Sequence, residues 1–217
     1  MKLLLTSGGM TNGAITEAMF KLSGTTAETT KLAFIPTVAN GESGGKEWLI
    51  DDLYRLKQLR LKQIDIADIS ALDRQYWEPQ LREADIIFVG GGNTFYLMHW
   101  MKKSGLAALL PELLETRLYV GLSAGSIITG PDVKRSSHRE WYPEDVGPDS
   151  RAFGFVDFYF RSHLNSRDFP NITSDKMPEL AKKVGGPLYV LDDQCAMVAD
   201  GEKLEVIGGG EYLTYNV

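Results

Sequence analysis

The sequence predicts an α/β protein whose mostly parallel β-sheet has helices on both faces. Strand-type and helix-type patterns alternate from residue 2 to about residue 130, which is typical of parallel strands joined by right-handed crossovers. The predicted strands are continuous apolar runs, as expected when helices cover both faces of a sheet. No internal repeat, low-complexity tract or linker interrupts residues 1–217, so we expect a single domain.

Five apolar runs in the first half of the chain predict the strands of this sheet. Most of them stop at glycine or proline, residues that favour turns. These strands are Lys2–Thr6, Lys31–Pro36, Gln63–Ile66, Asp85–Val89 and Arg117–Val120. Apolar residues at helical spacing predict five helices among them, and Asn93 is a suitable N-cap for the fourth. These helices are Asn12–Leu22, Glu47–Leu61, Gln75–Glu83, Asn93–Lys102 and Leu106–Glu115.

The regular alternation ends after residue 130. Pro131–Ala152 is charged and has little periodicity, which indicates a long surface loop. A strand at Phe153–Phe160 follows and leads to His163. The remaining predicted elements are a helix at Met177–Val184, a strand at Leu188–Leu191, a C-terminal β-hairpin of Ala196–Val198 with Lys203–Ile207, and an edge strand at Tyr212–Tyr215.

Composition excludes several classes of protein. The net charge of -6 argues against nucleic acid or an anionic membrane as partner. The single cysteine, Cys195, excludes an internal disulfide and fits a reducing compartment. No apolar stretch is long enough for a membrane span, and residues 1–9 read better as a first strand than as a signal sequence. We therefore expect a cytoplasmic, soluble protein.

Gly121-Leu122-Ser123-Ala124-Gly125 has the spacing of a nucleophile elbow. An apolar strand precedes it and a helix start follows it, which is the context that such an elbow needs. A serine at this turn is exposed beside backbone N–H groups that can hold an oxyanion. The alternative is a Gly/Ser-rich loop that only turns a corner, but the flanking strand and helix favour Ser123 as a nucleophile.

A serine nucleophile needs a base, and the chain has three histidines. His163 directly follows a predicted strand, and strand ends carry active-site groups into a common crevice, so His163 is the preferred base. His138 lies in a charged loop that could fold back over the elbow. His99 lies in the middle of an apolar helix and is expected to be structural.

The carboxylate that orients the base cannot be chosen from spacing alone. The candidates are Asp132, Glu140, Glu144, Asp145, Asp192 and Asp193. The oxyanion donors are better defined, because the amide of Ala124 follows the nucleophile directly. The glycine turn Gly90–Gly92 offers a second donor, and no dinucleotide or Walker pattern accompanies it.

Two motifs together resemble the peptidase E family of aspartyl dipeptidases, which is related to cyanophycinase. They are Phe88–Phe95 (FVGGGNTF) and Gly121–Ser126 (GLSAGS), followed by a strand that ends at a histidine. The resemblance covers most of the chain. It implies a class I glutamine-amidotransferase-like α/β sandwich and a serine peptidase.

The resemblance also implies roles for individual residues. Ser123 and His163 would be nucleophile and base, and Gly91 and Ala124 would supply the oxyanion amides. The family has an acid a short distance after the serine, where this chain reads Arg135-Ser136-Ser137-His138, and the first carboxylate beyond is Glu140. Glu140 is therefore the expected third member of the triad.

Substrate recognition is predicted from the same resemblance. The family uses an arginine after the histidine to hold the substrate aspartate, and this chain offers Lys176 and Arg167 in that region. Asn93, beside the glycine turn, is the third candidate for substrate binding. Lysine lacks the bidentate fork of arginine, so strict aspartyl specificity is not expected.

The sequence as a whole predicts a serine peptidase that hydrolyses short peptides through an acyl-enzyme. The alternatives are a hydrolase of another small amide or ester, and a non-catalytic binding protein that keeps the fold. We expect no metal, because no cluster of His, Cys and carboxylates has ligand spacing, and we expect no cofactor. The expected partner is a small peptide substrate, without nucleic acid or membrane, for a monomer or homodimer.

Overall fold

A computed structural model describes residues 1–133 and 151–217 of the chain. The strands in these ranges are β1 (Lys2–Thr6), β2 (Lys31–Ile35), β3 (Gln63–Ile66), β4 (Ile86–Val89), β5 (Leu118–Leu122), β6 (Tyr159–Arg161), β7 (Leu188–Leu191), β8 (Cys195–Asp200), β9 (Lys203–Gly208) and β10 (Tyr212–Tyr215). The helices are α1 (Gly13–Ser23), α2 (Glu47–Gln58), α3 (Arg74–Glu83), α4 (Thr94–Lys103), α5 (Leu106–Leu113), α6 (Ala124–Ile127) and α7 (Met177–Val184), with a 3-10 helix at Thr37–Gly41.

Seven strands form the main sheet in the order β3-β2-β4-β5-β1-β8-β9. The five strands from β3 to β1 run parallel, whereas β8 is antiparallel to β1 and β9 is antiparallel to β8. The predicted mixed α/β fold with a mostly parallel central sheet is therefore confirmed. β5 is the middle strand, so the residue that follows Leu122 lies at the centre of the carboxyl edge of the sheet.

Apolar side chains cover both faces of the main sheet. Leu3 and Leu5 of β1 belong to one buried cluster, which α3, α4 and α5 complete, while Leu4 belongs to the cluster on the opposite face with α1 and α2. Each fully buried leucine stabilises the fold by about 1.5–3 kcal/mol relative to an exposed one. These two cores explain why the strands read as uninterrupted apolar runs.

A second sheet of three strands, in the order β10-β7-β6, lies beside the first and was not predicted. β6 and β7 are parallel, and β10 is antiparallel to β7. The predicted edge strand Tyr212–Tyr215 therefore pairs in this second sheet. Leu188 and Val190 of β7 pack with α7, whereas Leu191 packs into the core of the main sheet. β6 belongs to this second sheet, which therefore positions His163, just after β6, beside the main sheet.

The strand predicted over Phe153–Phe160 is wrong for most of its length, because β6 covers only Tyr159–Arg161. The amides of Phe153 and Phe155 donate instead to the carbonyls of Ile128 and Thr129, just after α6. The apolar run is satisfied by this local pairing and by stacking of the Phe153 and Phe155 rings, whose centroids are 4.8 Å apart. None of the helices within the described ranges is long and apolar enough to span a membrane.

Candidate active site

Ser123 lies between β5 and α6 with an unusual backbone conformation of φ 47° and ψ -105°. The turn is so tight that a Cβ at Gly121 would lie 2.6 Å from the Ser126 amide, and one at Gly125 would collide with the Val89 carbonyl. Both glycines of the motif are therefore required by close backbone approach. Thr6 at the end of β1 fixes the turn, since its carbonyl accepts from the Ser123 amide at 3.1 Å and from Ser126 Oγ at 2.8 Å.

His163 follows β6 and faces the elbow from the second sheet. Its Nε2 lies 2.8 Å from Ser123 Oγ. The residue has a φ of 68°, in the left-handed region, and its amide donates to Ser7 Oγ at 2.8 Å. The imidazole stacks on Phe169, with ring centroids 4.0 Å apart and planes inclined by 2°. Backbone and ring are thus both held by specific contacts.

Asp193 lies in the turn between β7 and β8, and its Oδ1 is 2.6 Å from His163 Nδ1. The loop after β1 holds this turn in place, because Ser7 Oγ donates to the same Oδ1 at 2.9 Å and Thr11 Oγ1 donates to the Asp193 carbonyl at 2.7 Å. Gly8 permits the approach, since a Cβ there would lie 2.8 Å from Asp193 Cβ. Asp193 is thereby locked against the imidazole.

The ionised form of Asp193 is favoured. Burial acts to raise the pKa of this carboxyl, but the hydrogen bond and charge of His163 and the hydroxyls of Ser7 and Ser166 hold its pKa below the ordinary value. A carboxylate in this state accepts a hydrogen bond from Nδ1–H, which leaves Nε2 as the acceptor for the Ser123 hydroxyl.

The expected third member, Glu140, lies outside the described residues, as do Glu144, Asp145 and the alternative base His138. Asp193 occupies the hydrogen-bonding position at Nδ1 that was expected of Glu140. Of the other two candidates, Asp192 has a carboxylate that is engaged elsewhere. The Asp192 carboxylate accepts hydrogen bonds from the amides of Gln194 and Glu211, at 2.9 and 2.6 Å. The backbone of Asp132 forms an isolated β-bridge with Arg151. His99 is exposed on α4 and contacts Trp100 edge to face.

The two expected oxyanion amides flank the nucleophile. A Cβ at Gly91 would lie 3.4 Å from Ser123 Cβ, so the glycine turn after β4 directly adjoins the serine. Ala124 is the first residue of α6, and an amide at that position has no partner within its own helix. In the described ranges neither amide donates to a protein acceptor, which leaves both able to bind an oxyanion.

A cavity of about 540 Å³ opens at Ser123 and His163. The expected substrate cations do not line it. Lys176 Nζ contacts the Pro170 carbonyl and Asn171 Oδ1, at 3.4 and 3.3 Å, and Arg167 is exposed outside the lining. Both residues follow His163 closely along the chain, but neither of them lines the cavity.

Asn93 also lies outside the cavity lining. Its side chain accepts the Tyr96 amide at 2.8 Å and caps α4. The predicted N-cap is thus confirmed, and the same oxygen is already used structurally, which argues against the expected contact with substrate.

The charged residues that line the cavity are mainly acidic. Five carboxylate residues line it, and Arg55 is the single lysine or arginine among the lining residues of the described chain. The five are Glu42, Asp51, Asp52, Asp168 and Asp193. Arg55 Nη1 is already engaged, at 3.2 Å from Asp52 Oδ1 and 3.3 Å from the Gly8 carbonyl. Sequence reasoning missed α2 as a wall, because nothing local shows that its acidic face turns towards the elbow.

Asp52 is the most perturbed of these carboxyls. Burial raises its pKa to about 7, and this effect exceeds the opposing charge of Arg55, while Asp51 and Asp193 raise the pKa further. Within residues 1–133 and 151–217, no group of three or more His, Cys, Asp or Glu is arranged to hold a metal ion.

Comparisons with known proteins identify the family of the chain. The sequence model of peptidase family S51 matches residues 3–207. An uncharacterized peptidase of Listeria monocytogenes is 28% identical over 181 residues, which cover 80% of this chain and 83% of that protein. Peptidase E of Shewanella oneidensis is 31% identical over 191 residues, which cover 84% and 76%.

Two solved structures share the fold. The crystal structure of a candidate peptidase E protein from Listeria monocytogenes superposes with a TM-score of 0.77 at 24% identity, covering 96% of this chain and 98% of that one. A peptidase from an acI-B1 Actinobacterium gives a TM-score of 0.67 at 18% identity, covering 97% and 88%.

The fold and the matched family together define a serine-type peptidase. The chain belongs to peptidase family S51. The resemblance to peptidase E that the glycine and serine motifs indicated is therefore confirmed.

Replacing Asp52 with Asn should remove a specific pH dependence of stability. An unfolded Asp loses its proton near pH 4, whereas folded Asp52 keeps it until about pH 7. Between these values the folded state binds more protons, so the free energy of unfolding of the wild type falls as pH rises, by up to about 1.4 kcal/mol per pH unit. Urea unfolding at several pH values measures this, and the difference between wild type and Asp52→Asn should decline from about pH 4 to 7.

The exposed neighbour provides the control, since Asp51→Asn should keep most of the wild-type pH dependence. Parallel stability curves for wild type and Asp52→Asn would show that Asp52 titrates normally.

Proposed function

We propose that this peptidase hydrolyses short peptides through an acyl-enzyme, with Ser123 as nucleophile, His163 as general base and Asp193 as the orienting acid. One observation carries the proposal. A continuous chain of hydrogen bonds runs from Ser123 Oγ to His163 Nε2 at 2.8 Å and from His163 Nδ1 to Asp193 Oδ1 at 2.6 Å. This is the nucleophile, base and orienting group that acyl transfer requires. We further propose that the fold is the class I glutamine-amidotransferase-like sandwich, which the elbow at the centre of the parallel sheet supports.

The reaction follows from the protonation states of these groups. Ionised Asp193 accepts a hydrogen bond from Nδ1–H and stays ionised, so Nε2 is free to take the proton of Ser123 while Oγ attacks the peptide carbonyl. The amides of Gly91 and Ala124 then stabilise the oxyanion. Nε2 returns the proton to the leaving amine, and a water molecule repeats the sequence to release the acid and restore Ser123.

Asp193 takes the role that was expected of Glu140. The imidazole has one Nδ1, and the Asp193 carboxylate already fills the hydrogen-bonding position there at 2.6 Å. Ser7 adds a second hydrogen bond to the same oxygen and fixes its direction. A second carboxylate at this position would be repelled by the first.

The charge of the cavity favours substrates with a free amino terminus. A volume of about 540 Å³ lies within the range of small-molecule sites and suits a short peptide. The carboxylates of Asp51, Asp52 and Asp168 attract an ammonium group. They would repel an acidic side chain of a substrate, and the described lining offers it no unpaired cation. Arg55 is held by Asp52, so we propose that strict preference for aspartyl peptides is absent.

Replacing Asp193 with Asn should lower kcat by about 10⁴-fold, because the amide no longer favours the tautomer with a free Nε2 acceptor. Ser123→Ala should abolish covalent labelling by a fluorophosphonate. The measurements are kcat for an alanyl anilide and the mass of the labelled protein. Glu140→Gln is the matched control and should keep near-wild-type kcat.

Two results would contradict this assignment. Labelling that persists in Ser123→Ala would remove Ser123 as nucleophile. A large loss of kcat in Glu140→Gln, with Asp193→Asn close to wild type, would show that Glu140 and not Asp193 is the orienting acid.

The charge of the substrate should affect the rate of hydrolysis. At about pH 7.5, where Asp52 is mostly ionised and the substrate amine is still mostly protonated, alanine p-nitroanilide with a free amine should exceed its N-acetyl form in kcat/KM. The factor should be about tenfold or more, corresponding to one ionic contact of about 1.4 kcal/mol. Aspartyl p-nitroanilide should be no better than the alanyl substrate. Lys176→Met is the control and should leave all three rates unchanged, since Lys176 does not line the cavity.

Equal rates for the free and acetylated substrates would refute the ammonium contact. A tenfold preference for the aspartyl substrate would restore the specificity expected from the resemblance.

A further inference from the structure

A second hydroxyl contacts the nucleophile. Ser162 Oγ lies 3.0 Å from Ser123 Oγ, and Ser162 is 1% exposed. It directly precedes His163, so the segment that delivers the base also delivers this hydroxyl. In the described part of the chain, Ser123 is the hydrogen-bond partner found for the Ser162 hydroxyl.

The direction of this hydrogen bond follows from counting protons. Asp193 Oδ1 accepts from Ser7 Oγ and faces His163 Nδ1, so Nδ1 carries the imidazole proton and Nε2 is an acceptor. Ser123 must therefore direct its single proton to Nε2. Its oxygen can then only accept from Ser162, which makes Ser162 the donor.

We propose that Ser162 is a further catalytic residue that stabilises the developing negative charge on Ser123 Oγ. This proposal rests on Ser123 being the nucleophile, as proposed above. A hydrogen bond to a charged oxygen is stronger than one to a neutral hydroxyl, so the contact favours the transition state over the ground state.

The Ser162 proton stays on Ser162 throughout. In acylation, the Ser123 proton moves to Nε2, the bond from Oγ to the carbonyl carbon forms, and the bond from carbon to the amine breaks as the amine takes that proton. In deacylation, a water proton moves to Nε2, water oxygen bonds to the carbon, and the bond from carbon to Oγ breaks as Oγ regains a proton. Ser162 donates its hydrogen bond at both moments when Oγ is charged.

The role of Ser162 can be tested by measuring attack by Ser123 Oγ separately from binding of the reagent. Inactivation by a fluorophosphonate yields kinact for attack by Oγ and KI for binding of the reagent. Ser162→Ala should lower kinact by about 10- to 100-fold, the scale of one hydrogen bond to a charged group, and leave KI within about twofold. The pH at which kinact is half-maximal should stay unchanged, because Ser162 does not touch the imidazole.

Ser162→Cys provides a second variant of similar size with a weaker donor, and its kinact should lie between the wild type and Ser162→Ala. If the alanine variant does not fold, the cysteine variant carries the test. Ser23→Ala is the control for removal of a partly buried serine hydroxyl and should keep the wild-type kinact.

A kinact within about twofold of wild type in the folded variants would overturn the role of Ser162. A fall in kinact matched by an equal rise in KI, or a shifted pH profile, would also overturn it and assign Ser162 a purely structural role. A wild type that is not labelled at Ser123 would instead refute the proposed nucleophile, so the two failures are distinguishable.

Discussion

The strained backbone at Ser123 is the constraint on which the rest of the site depends. A residue in such a conformation costs about 1–3 kcal/mol and persists only when its surroundings hold it. The surroundings here are the Thr6 carbonyl, which takes two hydrogen bonds from the turn, and the buried Tyr119 hydroxyl, which donates to the Gly125 carbonyl at 2.6 Å. Both anchors come from the central strands of the main sheet, so the rigid core holds Ser123 in place.

His163 and Asp193, the other two groups of the site, lie outside the strands of the main sheet. Ser123 belongs to the main sheet, His163 follows β6 of the second sheet, and Asp193 lies in the turn that joins the two sheets. Ser7 links these parts, because its hydroxyl accepts a hydrogen bond from the His163 amide and donates one to Asp193. The geometry of the proposed site is therefore a property of how the two sheets pack, and loosening the contact between them would separate His163 from Ser123.

The mixed α/β architecture and two of the proposed site residues could be predicted from local patterns. Periodicity indicated the parallel strands, and the G-x-S-x-G spacing pointed to Ser123 because the steric requirement lies within five residues. Asp193 could not be singled out, since its contact with Ser7 joins residues 186 positions apart and depends on a second sheet that no short pattern revealed. The acidic wall of α2 was missed for the same reason, and Lys176 was expected from the resemblance to a family that has an arginine after the histidine.

The structure of the protein after reaction with a fluorophosphonate tests the central claim most directly, because the adduct resembles the tetrahedral intermediate. We expect phosphorus bonded to Ser123 Oγ, with its oxygen at about 2.7–3.1 Å from the amides of Gly91 and Ala124. His163 Nδ1 should remain hydrogen-bonded to Asp193. An adduct on another residue, a phosphonyl oxygen turned away from both amides, or a loop carboxylate at Nδ1 in place of Asp193 would contradict this account.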